Sequence, residues 1–459
     1  MYLLMIFLFV LGYIAIATEH QIHVNKAATA LIMCSVLWTI YIFYAPELYT
    51  SPLDPNHAAI QKTTEYVTHH ELIEGVGEVA EILFFLMGAM TIVELIDVHG
   101  GFNIITRRIT TRNKRTLLYI LTGITFFMSA VLDNLTTTIV IVMLLRKLIQ
   151  DQKERWYYAA VVILAANAGG AFSPIGDVTT IMLWVKGNVT TEHLIPELIL
   201  PSIVAALLPM FIMSRKLSGT LEDVVSVDES AHHEPTAAEM VTNRERNIIF
   251  YLGIGALVFV PIFKAITHLP PYIGVALGLG ILWVYTELMY HEKGDSIKEE
   301  KKARIQKVVK RIDMTTILFF LGILMAVNAL SFAGILQDLS KALDDAIGNI
   351  YVINIIIGVL SSIVDNVPLV AGAMKMYAVD PANAYFAVDG AFWLFLAYCA
   401  GVGGSILIVG SAAGVVVMGL EKVSFGWYLK EVSLIALLGY LAGAAMFIFQ
   451  DMVIVPMLN

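Results

Sequence analysis

Two dipeptides of one kind stand where an apolar chain has least room for them. Asp133 and Asn134 sit in "SAVLDNLTTTIV" (129–140), and Asp365 and Asn366 sit in "SSIVDNVPLVAG" (361–372), 232 positions later. A carboxylate in a low-dielectric interior is desolvated, and desolvation favours its protonated form. A hard cation such as Na+ binds through several oxygens. One buried carboxylate therefore holds either a proton or a cation, and competition for it couples their movements. Asp133 and Asp365 lead this reading, with Asn134 and Asn366 adding amide oxygens or holding the turns; these four form the expected Na+ site. Thr136, Thr137 and Thr138 add hydroxyls where the second stretch has Pro368, Leu369 and Val370, so the first half is the richer source of ligands. A third stretch, "NAGGAFSPIGDVTT" (167–180), contributes Asn167, Ser173 and Asp177. Its counterpart "GVGGSILIVGSAAG" (401–414) places Ser411 opposite Asp177, which makes Asp177 the candidate second proton group. The Asp-Asn pairs can equally cap helix starts, and both readings stand at this point. Glu78, Glu81 and Glu94 flank or enter another apolar run and are candidates for a proton pathway. His99 reads as a satisfied interfacial histidine.

The elements that must position these residues are membrane helices. The chain of 459 residues is 58% apolar and 15% charged, with a mean hydropathy of +0.76; a soluble domain carries about 25% charged residues. Runs at 2–18, 27–46, 79–97, 195–214, 247–266, 272–290, 314–336 and 427–450 each suit a helix of roughly 20 residues across a hydrocarbon core. The first run lacks a basic leader and is expected to be a span, not a signal peptide. Cys34 and Cys399 fall inside apolar runs and read as small hydrophobes. No nucleotide loop, metal triad or nucleophile–base pair points to an enzyme, and no feature points to nucleic acid.

Basic residues concentrate in "RRITTRNKR" (107–115), "RKLIQDQKER" (146–155), the ends of 215–246 and the stretch 291–311, which the positive-inside rule places in the cytoplasm. The apolar segment 116–145 lies between two of these clusters, and a straight helix of that length would measure about 45 Å. A re-entrant hairpin (116–147) with its turn near Asp133 keeps both clusters on one side. A second hairpin is expected at 350–377. Irregular backbone at that depth requires surrounding protein or a water-filled cavity.

Order-preserving matches divide the chain. "EILFFLMGAM" (81–90) resembles "TILFFLGILM" (316–325), and "AANAGGAFSPIGDVTTIML" (165–183) resembles "AGVGGSILIVGSAAGVVVM" (400–418). The expected architecture is an all-α polytopic membrane protein of two inverted repeats with about five crossings each. Residues 1–214 form the first (hairpin 116–147, broken helix 156–187), 215–246 a cytoplasmic linker, and 247–459 the second (hairpin 350–377, broken helix 391–419). Inverted repeats with interrupted helices are a recurring build of secondary transporters.

The "LDNLTTT" and "VDNVPLV" tips, the "NAGGAFSPIGDVTT" break and "LFFLMGAMTIVELIDVHGGF" (83–102) resemble the NhaD-type sodium/proton antiporters. These belong to a superfamily that also holds arsenite, citrate and sodium/dicarboxylate carriers. The resemblance implies exchange of cytoplasmic Na+ or Li+ for external H+ across a bacterial inner membrane, no cofactor, membrane lipids as surroundings, and a homodimer with a mobile transport domain. A sodium-coupled organic anion carrier or an arsenite-type exporter is the alternative. Aspartates at both tips disfavour an anion unless they are protonated or covered by Na+.

Overall fold

The computed structural model describes residues 2–48, 64–106, 109, 111–221, 241–293 and 302–454; most of the expected linker, and the middle of the basic stretch 291–311, lie outside these. The described chain is helical apart from an isolated bridge between Asn113 and Thr220. The longer helices are α1 (Tyr2–Ala17), α2 (Lys26–Leu48), α3 (Leu72–Val98), α4 (Lys114–Leu132), α5 (Asn134–Leu148), α6 (Gln152–Ala171), α7 (Val178–Val185), α8 (Thr191–Ser214), α9 (Asn243–Thr267), α10 (Pro271–Glu292), α11 (Met314–Phe332), α12 (Ile335–Ala346), α13 (Ile350–Leu360), α14 (Asn366–Met376), α15 (Ala391–Gly403), α16 (Ala412–Glu421) and α18 (Ser433–Phe449), with the short α17 (Phe425–Glu431) before the last. Among the described residues eight helices are long and apolar enough to cross a membrane. Of the ten expected crossings, α1 is too short and both broken helices divide into pieces, at 172–177 and at 404–411, which leaves seven; the eighth is α4, expected as one arm of a hairpin.

Each break begins again on a capped helix. A helix start leaves backbone N–H groups without intrahelical partners, and a bilayer interior has no water to satisfy them. Asp133 accepts from Thr136 N at the start of α5, Asp177 from Thr179 N at the start of α7, Asp365 from Val367 N at the start of α14, and Ser411 from Gly414 N at the start of α16. Four polar residues thus let four half-helices begin inside an apolar protein.

The broken helices form the core. Every residue from Tyr158 to Ala171 and from Phe392 to Gly403 is buried, as expected of helices apolar on all sides. Corresponding contacts recur on the two. Ser129 Oγ donates to Ala166 O at 2.6 Å, and Ser361 Oγ to Ala400 O at 2.9 Å. Gly169 lies against the Phe126 carbonyl, and Gly403 against that of Gly358, each where a Cβ would collide. α5 packs on α16 and α7 on α14 and α15, so each half's irregular elements seat against the other half's broken helix.

A second group of helices flanks this core. α2 and α11 run in the same direction, with Lys26 over the Phe319 ring at 4.4 Å, Trp38 Nε1 donating to Met325 O at 2.8 Å and Tyr41 Oη to Phe332 O at 3.1 Å. α3 and α10 also run together: Phe84 meets Tyr272, and the turn beyond α3 brings His99 to Tyr290. α3 and α11 run oppositely, since Asn328 meets Gly75 near one end and Arg311 meets Glu94 near the other.

Two segments differ from expectation. α12 occupies a stretch read as a loop and bends by 119° into α13. α4 alone is long enough to span, yet its start lies beside the start of α6: Lys114 Nζ meets Glu154 at 3.0 Å, and Tyr158 Oη donates to Lys114 O at 2.9 Å. Only three residues separate α5 from α6, so the start of α4 lies near the end of α5.

Candidate ion-binding site

Asp133 occupies the single-residue gap between α4 and α5 at φ 75° and ψ 160°, a positive-φ conformation that L side chains rarely adopt. Its Oδ1 accepts from Thr136 N at 2.8 Å and its Oδ2 from Thr136 Oγ1 at 2.9 Å. The reversal aims Asn134 at the first break. Asn134 Nδ2 donates to Asp177 Oδ2 at 2.5 Å and to Asn167 Oδ1 at 3.0 Å. Asp177 Oδ1 accepts from Thr179 N at 2.9 Å and Thr179 Oγ1 at 2.7 Å. Asn167 Nδ2 continues to Ser411 Oγ at 2.9 Å, in the other broken helix. Asn134, Asn167, Asp177 and Ser411 are all buried.

Of the remaining sequence candidates, Ser173 is structural in its contacts, donating to Ala130 O at 2.5 Å. Thr137 and Thr138 are fully buried, and their hydroxyls have no hydrogen-bond partner among the described residues. An unsatisfied buried hydroxyl costs about 1–3 kcal/mol. Asp133, Asn134 and their neighbours line a cavity of about 70 Å³ closed by Phe85, Ala89, Met90 and Phe320. That volume exceeds what one water requires. Among the described residues no lysine or arginine pairs with Asp133 or Asp177.

Asp365 and Asn366 start α14, and Asn366 is buried. Asp365 does not join the cluster by hydrogen bonds; it lies within electrostatic reach of Asp177 and pairs with Lys26 Nζ at 3.0 Å. Glu78 is held between Lys186 at 3.2 Å and Lys375 at 2.7 Å, tying α3 to the ends of α7 and α14. Glu94 pairs with Arg311 at 2.9 Å, and Glu81 is half-buried on α3. His99, just past α3, is buried, with Nδ1 on Leu95 O and Nε2 on Tyr290 Oη; burial holds its imidazole below the ordinary value. Sequence reasoning passed over Lys26 and also Glu421, a buried acid gripped by Arg146 at 2.6 Å and Arg155 at 2.9 Å. The available signal for Glu421 was its place at the end of an apolar run, opposite basic clusters that need a counter-charge.

A polytopic helical protein with capped half-helices meeting around buried oxygens has the build of a secondary transporter, and family comparison agrees. The chain belongs to the citrate transporter family, whose model matches residues 13–394, and is of the NhaD type. It is 44% identical over 444 residues to sodium/proton antiporter 1 of Arabidopsis thaliana, covering 97% of this chain and 72% of that one. It is 42% identical to sodium/proton antiporter 2 of the same plant, covering 96% and 97%. To the Na(+)/H(+) antiporter NhaD of Alkalimonas amylolytica it is 30% identical over 475 residues, covering 97% and 89%.

Proposed function

We propose that this chain is a secondary transporter exchanging Na+ or Li+ for H+, with the two ions competing for Asp133 and Asp177. One observation carries the reading: a hairpin tip, the first break and the second break meet through Asn134, Asn167, Asp177 and Ser411 in a single buried cluster. The relatives that cover most of the chain are named as sodium/proton antiporters, which supports the same choice.

In this reading Na+ takes oxygens from Asp133, Asp177, Thr137 and Thr138 and from the Asn134 amide, whose Nδ2 is already engaged. When Na+ leaves, protons return to the carboxylates. The fold is two inverted halves. The relative directions of the flanking helices support inversion: α3 and α11 carry the matching stretches 81–90 and 316–325, and the two run oppositely. The Lys114–Glu154 contact supports a re-entrant α4–α5 hairpin entering from the cytoplasmic face. Working direction is cytoplasmic Na+ outward against external H+ at a bacterial inner membrane, in a homodimer.

The test uses inside-out vesicles acidified inside and a pH-sensitive dye. Added Na+ or Li+ collapses the gradient, K+ does so poorly, and Asp133→Asn loses the response. Uptake of citrate or succinate without Na+-driven proton movement overturns the reading.

A further inference from the structure

The two hairpin aspartates hold equivalent places yet keep different company. Asp133 is satisfied within its own hairpin by Thr136. Asp365 accepts from Val367 N at Oδ1 (3.2 Å) and from the Lys26 ammonium at Oδ2 (3.0 Å). Lys26 belongs to neither hairpin; it opens α2, a helix of the flanking group. We propose that Lys26 is a tethered cation at Asp365 that a Na+ ion entering toward the Asp133–Asp177 cluster must first displace, so that this lysine sets the protein's apparent cation affinity.

Four observations carry the inference. The pair is reachable, because the Lys26 and Asp365 side chains are 26% and 20% exposed. It faces a cavity of about 60 Å³ lined by Tyr13, Glu19, Val364 and Val409, with room for a partly hydrated monovalent ion. The Tyr13 hydroxyl, buried and without a hydrogen-bond partner among the described residues, supplies a further oxygen on that cavity. Finally, a displaced Lys26 has acids nearby, since Glu19 and Asp313 are within its electrostatic reach and its own backbone N–H already donates to Glu19 at 3.0 Å. The pair is partly exposed, so a cation held by several oxygens can compete with it, whereas a fully sealed pair would resist displacement. Residue type matters as well. Lysine is a compact charge on a flexible stem, whereas arginine grips a carboxylate with a planar fork.

The inference rests on the exchange reading above, and the experiment separates the two. Half-saturating Na+ is measured on the purified full-length protein by Na+-dependent thermal stabilisation, and again by Na+-driven proton flux in vesicles. Lys26→Met lowers it by about two- to fivefold, Lys26→Arg raises it, and Asp365→Asn added to Lys26→Met erases the gain. Unchanged or raised half-saturation in Lys26→Met overturns the proposal, as does a gain that persists without the Asp365 carboxylate. Should Lys26→Met fail to fold, Lys26→Arg decides alone, an unchanged value overturning the proposal. A wild type that neither exchanges nor is stabilised by Na+ overturns the exchange reading and this inference together; a wild type that exchanges with no effect of Lys26 overturns the inference only.

Discussion

At the scale of single residues, the question is whether Asp133 acts as a cap, an ion ligand or both, and the chemistry of asparagine separates these. Asparagine caps helices as well as aspartate does and has the same branching at Cγ, so the positive φ of 75° found here costs it no more than it costs aspartate. Asp133→Asn should therefore leave the unfolding temperature near that of the wild type while Na+-driven proton flux falls to background. Asp133→Ala should lose both the flux and about 1 kcal/mol from the missing cap; a fully active Asp133→Asn would reduce Asp133 to a cap. His99 gives a second test, with its sign set by burial. Its imidazole titrates below the ordinary value in the folded protein and near about 6.5 when unfolded, so the unfolded chain binds more protons between those values. Stability is then lost as pH falls below about 6.5. Melting curves across that range should slope less for His99→Gln; equal slopes would contradict a neutral buried histidine. The Asp-Asn pairs were legible in the sequence because a carboxylate in an apolar run is expensive and stands out. Lys26 was not, since a lysine opening an apolar run looks like any loop charge until the fold brings Asp365 to it across 339 positions.

Among the elements, apolar runs and their Gly and Pro interruptions announced the spans and both broken helices, because hydrocarbon demands continuous helix and tolerates breaks only inside protein. α12 escaped notice: "ILQDLSKALDDA" mixes acids with apolar residues, and it buries only Ile335, Leu336 and Ser340. A search for continuous apolar stretches misses such a helix. The close packing of the broken helices on their hairpins yields a paired prediction. Gly169→Ala and Gly403→Ala each drive a Cβ into a backbone carbonyl, which cannot swing aside as a side chain can, and each should cost about 1–3 kcal/mol. Gly123→Ala and Gly372→Ala, with nothing within 4 Å of the added carbon, should be neutral or gain up to about 1 kcal/mol from helix propensity. Thermal unfolding of the four variants decides; equal effects would mean that the backbones are not in contact.

For the whole molecule, the matched contacts on the two broken helices, and the mutual seating of each half's elements on the other, make the cluster a joint product of both halves. Similar segments in order suggested the division, but letter similarity among apolar helices could not say which residues would touch. Charge does not follow the division. The sequence counterpart of Asp177 is Ser411, and Asp365 is covered by Lys26, so the two carboxylates without a cationic partner among the described residues, Asp133 and Asp177, both lie within residues 1–214. Asn134 follows Asp133 in the chain and hydrogen-bonds Asp177, and in the exchange reading the two carboxylates serve one ion. If one Na+ expels both protons, linkage sets the pH dependence of binding. The logarithm of half-saturating Na+ should fall with rising pH at a slope of about −2 on the acid side and level off once both groups are ionised. Asp177→Asn should reduce that slope to about −1. Two protons against one Na+ also moves net charge, so clamping the membrane potential with K+ and valinomycin should change the exchange rate of the wild type. A wild-type slope of zero would remove competition as the source of coupling, and a slope of −1 that Asp177→Asn leaves unaltered would confine the exchange to Asp133.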